Sequence, residues 1–62
     1  MKWYIVKGYA ADNTLLFCCG TNAPTPDVAK MYVAAELKKR PDTNADYNRA
    51  ERIEAKIGRR RN

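Results

Sequence analysis

Two β-rich runs, KWYIVKGYA and LLFCCG, flank the segment Ala11-Asp12-Asn13-Thr14, and nothing else constrains the fold of this chain as tightly. Aromatic and β-branched residues crowd the runs, and Asp and Asn tolerate turn conformations, so residues 2–20 are expected to form an antiparallel hairpin. With Asp12 and Asn13 at the tip, Ala10 pairs with Leu15, Gly8 with Phe17, Val6 with Cys19 and Tyr4 with Thr21. Side chains alternate along a strand, so one face then carries Tyr4, Val6, Ala10, Leu15, Phe17 and Cys19 with no charge. That face is expected to look into the core. Gly8 opposite Phe17 fits the pairing of a strand glycine with a cross-strand aromatic ring.

The other face carries Trp3, Ile5, Lys7, Tyr9, Leu16 and Cys18. A two-stranded sheet with such a face uncovered is poorly stable in water. Trp3, Ile5, Lys7, Tyr9 and Leu16 are therefore expected to form an oligomer or partner contact. Trp3, Lys7 and Tyr9 also form the aromatic and basic mixture on which nucleic-acid bases stack, although such rings on a small sheet more often serve packing.

After a linker over residues 21–25, Thr25-Pro26-Asp27 reads as a helix start: a capping threonine, a proline suited to the first helical position, and an acid at the positive end of the helix dipole. The expected helix spans residues 26–40, with Lys38, Lys39 and Arg40 in its last turn and Pro41 as its stop. Asp42, Thr43 and Asn44 offer caps for a second helix over residues 45–58, and residues 59–62 form a basic tail or extend that helix. The expected architecture is an α+β single domain over residues 1–62: a two-stranded antiparallel hairpin followed by two α-helices, β-β-α-α.

A chain of 62 residues buries only about 60% of the surface its unfolded form exposes, so some added support is expected. The chain has no His, and its only cysteines are the adjacent Cys18 and Cys19, too few ligands for structural zinc and strained as a disulfide. They read as small apolar residues in a reducing compartment. No metal or cofactor is expected. Support from a second copy of the chain remains, and a homodimer is expected. Lys2 and Lys7 interrupt the N-terminal run, and no apolar segment approaches the length of a membrane span. These features imply a cytoplasmic protein without a membrane segment.

Charge is unevenly placed. Up to Asp27, two lysines balance two aspartates, so the net charge of +5 belongs to the remainder. On a helical reading Arg49, Arg52, Lys56, Arg59 and Arg60 fall within an arc of roughly 100° beside an apolar stripe of Tyr47, Ala50, Ile53 and Ile57. Like charges so spaced repel by a few tenths of a kcal/mol per pair. A phosphate backbone rewards them, because each neutralised phosphate releases condensed counterions. Whether Gly58 ends the helix decides whether Arg59 and Arg60 extend the stripe or, with Arg61, form a tail.

Catalytic signals are lacking. Without His, acid or base chemistry falls to Asp and Glu, whose pairs read as solvated residues or caps, and no Gly-rich phosphate loop is present. The functional expectation is a small non-enzymatic accessory or regulatory protein. It binds RNA or DNA backbone through Arg49, Arg52, Lys56, Arg59, Arg60 and Arg61, with Lys38, Lys39 and Arg40 as a second cluster. The alternative is an inhibitor or adaptor that docks its basic surface or open hairpin face on an acidic protein.

Overall fold

The hairpin closes where the sequence places it. Asn13 takes a φ of 68°, the left-handed region that Asn tolerates, and its amide donates to the Ala10 carbonyl at 2.9 Å. The Thr14 amide donates to Asp12 Oδ1 at 3.1 Å, and hydrogen bonds from Thr14 hold the Asp12 carboxyl below the usual carboxylate range. From this turn run β1 (Lys2–Tyr9) and β2 (Leu15–Ala23). Gly8 pairs with Phe17, Val6 with Cys19 and Tyr4 with Thr21, as the alternation requires. Ala10 does not pair with Leu15: a bulge between Gly8 and Tyr9 sets Tyr9 opposite Leu15 and makes Leu16 the extra residue.

The computed structural model describes residues 1–58, and after the hairpin come α1 (Pro26–Leu37), α2 (Pro41–Arg49) and β3 (Arg52–Ile57). The sheet has three antiparallel strands in the order β2-β1-β3. The architecture is therefore β-β-α-α-β, still α+β, and the expected two-stranded hairpin followed by two helices is incorrect. Three local causes account for the change. β2 runs on to the fully buried Ala23, so most of the expected linker is strand. Pro41 opens α2 instead of merely stopping α1, because a proline at the first helical position gives up no needed hydrogen bond. Finally, the expected helix over residues 45–58 is split: α2 ends at Arg49, and RIEAKI extends as a strand antiparallel to β1.

The core lies between one face of the sheet and the helices. Tyr4, Val6, Phe17 and Ala23 meet Ala29, Val33 and Leu37, which recur every four residues along α1. Thr25 caps α1 by accepting from the Val28 amide at 3.2 Å, and α1 stops at Leu37, short of the expected Arg40. The Thr43 hydroxyl joins the helices by donating to the Leu37 carbonyl at 2.6 Å. The Tyr47 ring of α2 packs 6.3 Å from that of Phe17, which itself lies over Gly8, where a methyl group would collide with it. Leu15, expected in the core, is 51% exposed beyond the bulge. Among the described residues no helix is long and apolar enough to cross a membrane.

Candidate functional site

With α1 and α2 both on the Tyr4–Val6–Phe17 side, the opposite face of the sheet is left without a covering layer. Strand alternation assigns its residues. β1 contributes Trp3, Ile5, Lys7 and Tyr9; β3 contributes Lys56 beside Ile5, Glu54 beside Lys7 and Arg52 beside Tyr9; β2 contributes Cys18, Gly20 and Asn22. Trp3 and Tyr9 thus stand at the two ends of the central strand, about 20 Å apart at 3.3 Å per residue, with the charges between them.

Each ring is seated by a neighbour. Trp3 lies against Gly20, which has no side chain to displace the indole, and Gly58 makes a similar clearance for Ile5 and the edge of Trp3. Gly58 ends no helix: it follows β3 directly, and its amide donates to the Trp3 carbonyl at 2.9 Å. At the other end the Arg52 guanidinium stacks 4.6 Å from the Tyr9 ring centroid. Arg52 also contacts Asn13 Oδ1 at 3.3 Å, which ties the hairpin tip to β3.

The electrostatics centre on Glu54. Arg52 Nε approaches its Oε2 at 2.9 Å and Lys56 Nζ its Oε1 at 3.6 Å, while Lys7 stands opposite on β1 and takes part in none of the ion pairs found among the described residues. Three cations therefore surround one carboxylate. Ile5, Lys7, Tyr9, Glu54, Lys56 and Ile57 line a shallow hollow there. These exposed pairs contribute about 0–1 kcal/mol each to folding and leave a surplus of positive charge on the face.

The basic helical stripe expected from the sequence is not formed. Arg52 and Lys56 belong to β3 and point to the open face, whereas Arg49 closes α2 and pairs with Asp46 at 3.9 Å. Lys38, Lys39 and Arg40 cluster at the α1–α2 junction in the helical layer. There Lys39 pairs with Glu36 at 3.1 Å, Arg40 with Asp42 at 3.8 Å, and Lys38 lies 5.3 Å from the Tyr47 ring centroid. Arg59, Arg60 and Arg61 fall outside the described residues. Trp3, Ile5, Lys7 and Tyr9 share one face as expected, while Leu16, at the bulge, is half-buried against the core. Sequence reasoning missed Glu54 as part of the site. The signal that could have found it is the strict polar–apolar alternation of Arg52-Ile53-Glu54-Ala55-Lys56-Ile57, the period of a strand.

The two cysteines are free and sample the two faces: Cys18 is exposed on the open side, and burial pushes the half-buried Cys19 thiol up from its usual range. No protein-family model, curated protein or solved structure matches the chain. The functional reading accordingly rests on the chemistry of the open face.

Proposed function

We propose that this is a small, non-enzymatic cytoplasmic protein that binds single-stranded RNA or DNA on the open face of its sheet. One observation carries the reading: two aromatic residues on the central strand, Trp3 and Tyr9, bracket Lys7, Arg52 and Lys56 on a face that neither helix covers. Each ingredient answers one part of the ligand. Unpaired bases stack on aromatic rings with little regard to sequence, at about 1–3 kcal/mol per base. Lysine and arginine neutralise phosphates and release counterions. Duplexes fit this surface poorly, because their bases are stacked on one another and leave no free face for Trp3 and Tyr9.

Arg59, Arg60 and Arg61 follow Gly58 in sequence and add three positive charges to the same chain end. Glu54 pairs with Arg52 and Lys56 in the free protein, and an incoming phosphate competes with it for both. Recognition of this kind reads backbone and base planes instead of base edges, which suits an accessory or regulatory role. The protein acts as a homodimer in this reading, with the aromatic face kept for the ligand.

The test is fluorescence anisotropy with a labelled single-stranded oligonucleotide at about 50 mM salt, where phosphate contacts are strong. The combined variant Lys7→Gln, Arg52→Gln, Lys56→Gln is expected to lose at least about tenfold in affinity, and a duplex of the same sequence to bind more weakly. Unchanged affinity in the triple variant sinks the proposal. Equal binding of polyglutamate, which has carboxylates but no bases, would reassign the face to an acidic protein partner.

A further inference from the structure

The two edges of the sheet differ in a way the open face does not explain. β3, at one edge, reads RIEAKI and alternates charged residues with apolar ones. β2, at the other edge, reads LLFCCGTNA: nine residues with no charge and no proline, in a chain of which 31% is charged. Exposed edges are ordinarily protected by charge, proline, a bulge or a covering element, because their unpaired backbone groups are a template for another strand. β2 has a bulge at Leu16, toward one end, and neither charge nor proline.

The backbone hydrogen bonds identify which groups are unpaired. The carbonyls of Trp3 and Tyr9 accept from Gly58 and Glu51, so the odd-numbered residues of β1 direct their polar groups toward β3 and the even-numbered ones toward β2. Opposite them, Phe17, Cys19 and Thr21 bond inward to β1. Cys18, Gly20 and Asn22 then present their N–H and C=O groups outward, beyond the edge.

We propose that this edge pairs antiparallel with the β2 edge of a second copy of the chain, joining two sheets into one of six strands. Charge selects the occupant. An uncharged edge offers nothing specific to an acidic or basic partner, whereas a second copy brings an identical edge of the same length and no charge to repel. Two chains of net charge +5 repel elsewhere, and β2 is the one strand along which they meet without opposing like charges. A two-fold axis at Cys19 sets Cys18 of one copy opposite Gly20 of the other, with the bulge residue Leu16 near each end of the paired stretch.

The helical layer extends the contact. A groove between β2 and α1 is lined by Cys19, Thr21, Tyr32, Ala35 and Glu36, where Tyr32 is 46% exposed and the Glu36 carboxylate is paired with Lys39 at 3.1 Å. An axis perpendicular to the sheet brings the two copies of this groove together beneath the new junction. The same axis leaves both aromatic faces on one side. The pairing supplies the support that so small a core calls for, and it stands whether or not the open face binds nucleic acid.

Sedimentation equilibrium combined with amide hydrogen exchange tests the proposal on the unaltered chain. A dimer is expected, with exchange at Cys18, Gly20 and Asn22 slowed at least about a hundredfold relative to the amides of the hairpin tip. Cys18→Pro and Asn22→Pro each remove one outward N–H and are expected to shift the protein to monomer with its far-ultraviolet circular dichroism retained. A monomer at every concentration overturns the proposal. So does a dimer in which those three amides exchange as fast as the tip, since it would be joined elsewhere. Exchange is read on the natural sequence, so the outcome does not depend on whether a proline variant folds.

Discussion

The two faces of the sheet are built from the same three strands, and their contrast separates what folds this protein from what it offers to a partner. On the covered face, Tyr4, Val6 and Phe17 are buried against α1, and no charged side chain is buried among the described residues. On the open face, each aromatic residue has a charged or glycine neighbour, and every ion pair is solvent-exposed or partly so. Burial contributes about 1.5–3 kcal/mol for each large apolar side chain, whereas exposed ion pairs contribute about 0–1 kcal/mol. Stability should therefore reside mainly on the first face, with the seat of Trp3 on Gly20 as the exception, and the proposed binding on the second. Substitutions that cross between the two properties would break that division.

The largest effect is expected at Phe17. Phe17→Ala removes the ring that fills the space over Gly8 and packs against Tyr47, and should cost about 3–5 kcal/mol, most of the stability of a domain this small. Denaturant unfolding should show a greatly lowered midpoint or no cooperative transition. Next comes Gly20→Ala on the open face. Its methyl group would meet the Trp3 indole, so a loss of about 1–3 kcal/mol is expected together with a shifted tryptophan emission, since Trp3 is the only tryptophan. A silent Gly20→Ala would show that Trp3 is not seated there.

Smaller effects sharpen the division. Glu54→Gln removes the one carboxylate among the cations of the open face. It should lower stability by less than about 1 kcal/mol while raising single-strand affinity several-fold, because Arg52 and Lys56 no longer have an internal competitor. A fall in affinity would mean that Glu54 positions the cations more than it neutralises them. The mildest probe is a thiol reagent. Cys18, on the open side, should label first, and Cys19 should follow slowly until the pH rises above the usual thiol range, because burial raises its pKa. Equal rates would indicate that the covered face opens readily.

How much of this was legible in the sequence depended on whether one physical signal or two acted on each segment. In the hairpin, turn residues and alternation agree, so three of four expected pairs are present; the bulge that displaces Leu15 and the run of β2 on to Ala23 were hidden. Thr25-Pro26-Asp27 likewise announces α1 without competition. Beyond Pro41 the signals conflict. The i, i+4 spacing of Ile53 and Ile57 suits a helix, but the same residues alternate with Arg52, Glu54 and Lys56 as in a strand, and the free edge of β1 decides in favour of the sheet. That tertiary pairing dissolved the helical stripe and carried Arg52 and Lys56 onto the face already occupied by Trp3, Lys7 and Tyr9. For Arg52 and Lys56, though not for Arg49 or the Lys38–Arg40 cluster, the basic and aromatic residues share a single surface.

The emission of Trp3 during titration with a single-stranded oligonucleotide tests that convergence most directly, because the only tryptophan lies on the proposed surface. Saturable quenching is expected at about 50 mM salt, with a log–log salt dependence at least as steep as about −2, the value for three phosphates neutralised by Lys7, Arg52 and Lys56. Quenching should be lost in the triple glutamine variant, whose unfolding midpoint stays close to that of the natural chain. Emission that does not respond to the oligonucleotide at low salt, or that responds equally in the triple variant, would contradict the assignment of binding to the open face.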